Sequence, residues 1–265
     1  MTREETVRFI SEHEILPASK FGQNFLCDEK IISDIISLCG IEKGSRVIEI
    51  GPGIGALTRV IADMDCDLTA VEIDRKLADI LASDKKLKCV EIVSQDFLKY
   101  EPDRPYDIAV SNIPYYVMTP IILRLIICCP SCNKMVFMVE EEAIRRINAP
   151  VGTKQYGPLS VMCSLYGTFR KEFTVPRDSF IPAPHTSSAV ITLTRDNDTV
   201  LTPGLLEFIE LAFRERRKKM INSLSGRYDK ERLLKVFEEL NVPSEARAES
   251  LSPKLLYDVF FAVMQ

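Results

Sequence analysis

The sequence predicts an α/β fold, a parallel sheet covered on both faces, followed by a small domain built from helices alone. Three observations predict it. Short apolar runs alternate with amphipathic stretches as far as about Asn148, the pattern of strands joined by helical crossovers. A glycine loop, Gly51-Pro52-Gly53-Ile54-Gly55, follows the first apolar run directly. Past Asp196-Asn197-Asp198 the spacing is helical only, so the expected division is residues 1–196 and 197–265.

The elements follow in order. A helix over about Glu4 to His13 leads into a loop at Gln23-Asn24, and a second helix runs from about Glu29 to Leu38. Arg46–Ile50 is a short apolar strand; after its glycines, Ala56–Ala62 carries helical periodicity. Leu68–Val71 is a second strand ending at Glu72, and Cys89–Val93 a third, followed by Asp96. Asp107–Ser111 is apolar after its first charge and forms a buried strand, and a fifth strand ends before Glu140-Glu141-Glu142. Lys171–Val175 and Ser188–Thr194 complete the sheet as an antiparallel edge. In the helical part, Thr202-Pro203 and Ser252-Pro253 each supply a cap followed by proline in the first turn.

The strand ends carry the chemistry. Glycines after the first strand allow positive φ and close approach of a ligand to the backbone, as at Gly51 and Gly53. A carboxylate about twenty residues further on, Glu72, stands where a ribose diol is bound. Asp96 is placed to bind the amino group of an adenine ring. Gly51-x-Gly53-x-x-Ala56 also satisfies the dinucleotide fingerprint, which keeps a nicotinamide dehydrogenase in view. Against that stand Glu49, an acid where a dehydrogenase strand stays apolar, and the absence of a basic residue for a pyrophosphate in the loop. A methyl sulfonium brings positive charge and favours acidic surroundings, so S-adenosylmethionine is the better fit.

Asn112-Ile113-Pro114-Tyr115 closes the set. Pro114 lacks an N–H and stops strand pairing, leaving a rigid loop with an amide, free carbonyls and the rings of Tyr115 and Tyr116 at the carboxyl edge of the sheet. The exocyclic amine of a nucleobase is a poor nucleophile because its lone pair is delocalised. An amide oxygen and a backbone carbonyl that accept its two N–H bonds favour the tetrahedral nitrogen that attacks, and an aromatic ring can hold the unstacked base. As an isolated tetrapeptide the loop is equally a common turn.

With these residues the chain resembles the ribosomal RNA adenine dimethyltransferases of the KsgA type, in order and over residues 15–260 or so. Lys20-Phe21-Gly22-Gln23-Asn24-Phe25-Leu26 is similar to the family's entry motif, Glu49-Ile50-Gly51-Pro52-Gly53 to its cofactor loop, and Asn112 to Tyr115 to its catalytic loop. Lys154–Met162, Phe180-Ile181-Pro182-Ala183-Pro184 with Ser188-Ala189-Val190, and Phe213–Lys218 with Asn222 and Leu224 resemble three further segments. The resemblance implies a Rossmann-like class I methyltransferase sheet with a small C-terminal all-helical domain that binds rRNA. It implies dimethylation of adjacent adenines in small-subunit rRNA during ribosome biogenesis. Gln23, Asn24, Leu26, Gly51, Gly53, Glu72, Asp96 and Asn112 would then bind S-adenosylmethionine, with Ile73 and Phe97 beside the two carboxylates. Asn112 and the Pro114 carbonyl would orient the target amine, and Tyr115 and Phe180 would sandwich the base. Arg214, Arg216, Arg217, Lys218 and Lys219, on the family's basic helix, would contact RNA. Two departures stand out: the Glu140–Glu142 cluster where Gln and Lys are expected, and Tyr116 where the family often has Asn. Two rivals share the core residues or the surface: a large-subunit adenine methylase of the macrolide-resistance type, and an assembly factor that binds without needing catalysis.

Composition bounds the rest. The 265 residues include 34 Lys and Arg against 38 Asp and Glu, a net charge of −4 that is unusual for an RNA binder, so local clusters matter more than the sum. The run from Arg214 to Lys219 is the densest, with Arg145-Arg146 a second spot; any such run is by default a solvated helix face. The longest apolar run, Ile121–Cys129, is broken by Arg124 and stopped by Pro130. The N-terminus begins acidic, unlike a signal or transit peptide, so a cytoplasmic location is expected. A monomer is expected as well. Eight cysteines fit free thiols in a reducing compartment; Cys129-Pro130-Ser131-Cys132 has metal-ligand spacing but no second pair, and His13 and His185 lie far away, so no metal is expected.

Overall fold

The computed structural model describes residues 1–16, 23–196 and 199–265. The Lys20-Phe21-Gly22 half of the entry motif and the Asn197-Asp198 part of the expected boundary lie outside the described residues.

The chain enters through helix α1 (Arg3–Glu12), the short strand β1 (Phe25–Leu26) and α2 (Glu29–Cys39). Local chemistry sets the limits of α2: Asp28 Oδ1 accepts the N–H groups of Lys30 and Ile31 at its start, and Gly40 takes the left-handed conformation (φ 62°) at its end. Then follow β2 (Arg46–Ile50), α3 (Thr58–Ala62), β3 (Asp67–Glu72), α4 (Arg75–Ser83), β4 (Glu91–Ser94), β5 (Ile108–Asn112), α5 (Met118–Cys128) and β6 (Lys134–Glu140). After α6 (Ile144–Ile147) and α7 (Pro158–Tyr166) come β7 (Gly167–Val175), β8 (Phe180–Ile181) and β9 (Ser188–Arg195). Helices α8 (Pro203–Arg214), α9 (Met220–Leu224), α10 (Lys230–Glu239) and α11 (Pro253–Met264) end the chain. The expected caps hold: Thr202 accepts from the Leu205 N–H and Ser252 from that of Leu255, each ahead of a proline.

Seven strands form one sheet in the order β4-β3-β2-β5-β6-β9-β7, and β1 pairs with β8 in a separate two-stranded ladder. Strands β4, β3, β2, β5 and β6 are mutually parallel, and β9 is antiparallel to β6. From β2 the chain builds outward first through β3 and β4, then returns to the other side with β5 and β6, so the order reverses at β2–β5. In open α/β sheets that reversal opens a ligand crevice at the carboxyl ends of the strands. Val47, Ile48 and Ile50 of β2, with Ala109 and Val110 of β5 and Val136 of β6, are buried as strands covered on both faces require.

Some boundaries move for local reasons. The helix expected from Ala56 begins at Thr58, because the residues before it are spent in turns, with the Gly55 N–H donating to the Pro52 carbonyl. The third strand starts at Glu91 rather than Cys89, since the Val90 N–H closes a turn on Leu87. Asn112 is the last residue of β5, in register with Met138, instead of the first residue after it.

The chain forms two compact units: Met1–Ile144 with Phe169–Arg195, and Arg145–Thr168 with Asp196–Gln265. The linear division at residue 196 therefore needs correction for residues 145–168, which belong to the second unit. Tyr156 explains it: fully buried, it packs edge-on against Phe213 (5.6 Å) and donates its hydroxyl to the Leu251 carbonyl (2.8 Å). Phe208 and Phe260, 5.5 Å apart, lie in the same helical core. No helix among the described residues is long and apolar enough to cross a membrane.

Candidate active site

A pocket opens where the sheet order reverses, within the first unit. Of the residues predicted from sequence, Gln23, Asn24, Leu26, Gly51, Gly53, Glu72, Ile73, Asp96, Phe97, Asn112, Pro114 and Tyr115 all line it. They come from β1 and the residues just before it, from the loop after β2, from the end of β3 and the residue after it, from the segment after β4, and from the end of β5 and the loop beyond it.

The glycine loop folds around a carboxylate. Gly53 has φ +59°, and a Cβ there would meet the Phe25 ring at 3.3 Å, so both conformation and space require glycine. The Gly53 N–H donates to Glu72 Oε2 and the Asp74 N–H to Oε1, each at 2.9 Å. Burial nonetheless raises the Glu72 carboxyl above the ordinary range, those backbone donors opposing it. With one N–H on each oxygen, Glu72 keeps lone pairs for a ribose diol. Asp96 takes the Leu98 N–H on Oδ1 at 3.0 Å and keeps Oδ2 for an amino group. Gln23 Nε2 donates to Asp74 Oδ2 (2.9 Å), tying the entry segment to the loop after β3.

The catalytic loop is held from several sides. Ser111 Oγ donates to the Ile50 carbonyl (2.6 Å), joining β5 to β2 beneath it, and the Ile113 N–H pairs with Met138 (3.0 Å). Asn112 Nδ2 donates to the Asn24 carbonyl at 3.0 Å; that bond consumes a donor and leaves Oδ1 as an acceptor. The Pro114 carbonyl accepts the Val117 N–H at 3.1 Å and retains a second lone pair. Tyr115 is fixed by a hydrogen bond between its hydroxyl and Ser188 Oγ, and burial pushes its phenol above the ordinary range, so it stays neutral. The arrangement can accept two N–H bonds from an amine and offer an aromatic face; it holds no strong base.

Phe180 requires correction. It pairs with Leu26 in the β1–β8 ladder, is 1% exposed, and packs among buried apolar side chains that include Leu26 and Val190. It does not line the pocket. Phe25, Phe97 and Tyr116 line it with Tyr115, and of these Tyr116, next to Tyr115 in the chain, is 59% exposed.

Glu49, which the sequence set against a dehydrogenase and placed at the start of the cofactor-loop segment without a role of its own, also lines the pocket. It is 2% exposed, and its Oε2 is buried with no hydrogen-bond partner among the described residues. Burial, with the nearby Glu72 charge adding to it, pushes its carboxyl up to about 8. Its sequence signal was an acid inside an otherwise apolar strand. A buried carboxyl with one unpartnered oxygen, and a second carboxyl beside it, suit a cationic ligand, and the glycine loop and Asp96 suit its nucleoside. These residues fit S-adenosylmethionine.

The basic residues are arranged differently. The segment after Arg214 is a series of turns between α8 and α9 rather than a continuous helix. Arg216 pairs with Glu249 (2.9 Å) and also donates to the Thr153 and Lys154 carbonyls. Lys218 pairs with Glu215 (2.5 Å) and Lys219 with Glu245 (2.6 Å). Arg214 and Arg217 are exposed and show no ion pair among the described residues. In the acidic cluster, Glu141 pairs with Lys171, which holds its carboxyl below the ordinary range, and Glu140 accepts from Thr186 (2.8 Å). His13 stacks on Phe9 (4.2 Å), and His185 is exposed.

A sequence model of the ribosomal RNA adenine dimethylase family matches residues 17–265. The chain is 36% identical over 267 residues to a Streptococcus agalactiae protein named ribosomal RNA small subunit methyltransferase A, covering 93% of this chain and 92% of that one. A Streptococcus gordonii protein of the same name is 35% identical over 266 residues, covering 93% and 91%. Among solved structures, a dimethyladenosine transferase from Plasmodium falciparum is similar with a TM-score of 0.71 at 24% identity, covering 89% of this chain and 95% of that one. The 23S rRNA methyltransferase ErmE is similar with a TM-score of 0.60 at 29% identity, covering 91% and 100%.

Proposed function

The chain belongs to the ribosomal RNA adenine dimethylase family, and from that premise we propose how its residues divide the work and which subunit they serve. It is an S-adenosylmethionine-dependent methyltransferase that dimethylates the exocyclic amine of adenine in rRNA. The proposed substrate is a pair of adjacent adenines in the small subunit, supported by the names of the curated relatives. Likeness to ErmE keeps the large subunit as the rival.

S-adenosylmethionine, when bound, supplies the electrophilic methyl group. Glu72 takes the ribose hydroxyls and Asp96 the adenine amine, while Gly51 and Gly53 let the ligand meet the backbone. Gln23, Asn24 and Leu26 border it on the entry side, and Ile73 and Phe97 flank its base. Asn112 Oδ1 and the Pro114 carbonyl accept the N–H bonds of the target amine, which favours a tetrahedral nitrogen whose lone pair is free to attack. Tyr115 supports one face of the flipped base. Arg214 and Arg217, the cations of their run with no ion pair among the described residues, make phosphate contacts. The protein is taken to act as a cytoplasmic monomer, where ribosomal subunits are assembled.

The observation that carries the reading is Asn112, tied through Nδ2 to Asn24 with its acceptor left for the amine. Labelled methyl transfer to purified, undermethylated small subunits, with large subunits in parallel, tests it. Two methyls per adenine on the small subunit, lost in Asn112→Ala, is the expected result. Label on the large subunit instead would move the substrate to the resistance type.

A further inference from the structure

The cysteine spacing that the sequence offers, Cys129-Pro130-Ser131-Cys132, is not the pairing the fold makes. The Cys132 thiol donates to the Lys134 carbonyl at 3.3 Å, and no three His, Cys, Asp or Glu side chains among the described residues could hold a metal ion. The close pair is Cys128 and Cys129, both free thiols, whose sulfurs lie 3.7 Å apart. Adjacent residues inside a helix point about 100° apart, so the contact depends on where the helix stops. Cys128 is the last residue of α5, and Cys129 is its cap, with φ −117° and ψ 63° outside the helical region. The Cys129 N–H still closes on the Leu125 carbonyl (3.0 Å), and Pro130 carries the chain out to the surface.

The two thiols are unequal. Cys129 is 1% exposed, whereas Cys128 is half-buried and lies in the field of Arg124, one turn earlier on α5. Arg124 donates through one nitrogen to the Tyr100 carbonyl and to Glu101, while its Nε is buried with no partner among the described residues. The S–H of Cys129, donated to Cys128, holds the Cys128 thiol below its ordinary range with help from Arg124 and against burial. Giving that hydrogen bond pushes Cys129 up, and burial adds to it. The result is a nucleophilic sulfur at the edge with a second sulfur held behind it.

We propose that Cys128 and Cys129 form a dithiol binding site for a soft, thiophilic centre with two open valences, of the class of monosubstituted trivalent arsenicals. Thiolate sulfur is the ligand such centres select. With phenylarsine oxide, the Cys128 sulfur attacks arsenic first and the Cys129 sulfur follows. Two arsenic–sulfur bonds form, the arsenic–oxygen bond breaks, and the two thiol protons leave with that oxygen as water. Arsenic stays trivalent, and nothing is oxidised or reduced. A lone cysteine gives one such bond, which a monothiol exchanges away; two sulfurs on one chain return each other's ligand at high effective concentration. Neither cysteine lines the cofactor pocket, so the site stands apart from the methyltransferase reading.

The test is intact-mass measurement and peptide mapping of the reduced full chain after equimolar phenylarsine oxide. One phenylarsenic unit per chain should be retained through a wash with excess 2-mercaptoethanol, map to Cys128 and Cys129, and leave with 2,3-dimercaptopropanol. Cys128→Ser and Cys129→Ser should each lose the adduct in the monothiol wash. The internal rival is Cys66, whose thiol is pushed up by burial and by the nearby Cys89. A retained adduct on Cys66 and Cys89, or one that joins Cys129 to Cys132, overturns the assignment. So does the absence of any adduct that survives the monothiol, or its persistence in both variants. Mapping on the unaltered protein decides the matter even where a variant folds poorly.

Discussion

The cofactor pocket and the basic turn after α8 both gather ionisable groups, and they treat them in opposite ways. In the pocket, Glu72 meets only backbone N–H groups and Glu49 keeps one buried oxygen without a hydrogen-bond partner among the described residues, so ionisable groups wait there for a ligand. In the turn, Arg216, Lys218 and Lys219 are already matched by Glu249, Glu215 and Glu245. A count of charges cannot distinguish the two situations. What distinguishes them is whether the counter-charge is part of the protein. Unpaired, desolvated ionisable groups mark a site; paired, exposed charge marks a surface whose contribution to binding is small.

The largest effect should come from the pocket side. Asn112→Ala removes the amide acceptor and should lower the methyl-transfer rate by roughly 10²–10³, the range seen when one group aimed at a transition state is lost. Single-turnover rates at saturating cofactor measure it, and unchanged S-adenosylmethionine affinity would assign the loss to the amine rather than to binding. A loss under about tenfold would mean the loop positions the base without steering its lone pair, which would break the contrast between a reactive pocket and a passive surface.

Next is the pH dependence of stability set by Glu49. Its folded value of about 8 lies above the ordinary 4.5, so between those values the folded protein binds more protons than the unfolded chain. The stabilising effect is full below 4.5 and lost as pH rises through about 8. The free protein should therefore melt lower at pH 8.5 than at pH 6 by an amount on the order of a few kcal/mol, and Glu49→Gln should flatten that dependence. Denaturant midpoints across the range give the answer; an unchanged slope in the variant would show that Glu49 is ionised in the free pocket.

How much of this was legible in the sequence follows from where the information lies. Glu72, Asp96 and Asn112 each sit at or just past a strand's carboxyl end, so proximity along the chain to a strand end encodes convergence in space. The parallel order then brings them together. Phe180 is different: its place is set by a two-residue ladder with Leu26, too short to show periodicity, and by packing that no local pattern announces. The membership of residues 145–168 in the helical unit was hidden for the same reason, resting on Tyr156 contacts to Phe213 and Leu251 far along the chain. The ion pairs of the basic turn lie between those extremes: Glu215 is adjacent, whereas Glu245 and Glu249 are distant in sequence.

Phe180 offers a smaller test of the same distinction. As a core residue, Phe180→Leu should cost about 1–2 kcal/mol of stability with methyl transfer per folded molecule little changed. A large fall in transfer with the melting temperature preserved would restore it to the base-stacking role and imply that the β1–β8 ladder opens during the reaction.

The finest discrimination lies within the basic turn itself. Arg217 is exposed without a partner among the described residues, while Arg216 is held by Glu249 and two carbonyls. If phosphate contact is made by uncommitted cations, Arg217→Ala should weaken binding to the ribosomal substrate and reduce the salt dependence, log Kd against log salt, by about one, with the melting temperature unchanged. Arg216→Ala should do the reverse, since it strips the partner from Glu249 and leaves the Thr153 and Lys154 carbonyls without their donor: a loss of about 1 kcal/mol in stability and little change in salt slope. Equal salt slopes in the two variants would mean that RNA competes Arg216 away from Glu249, and that the paired turn is a reserve of binding charge rather than a neutral surface.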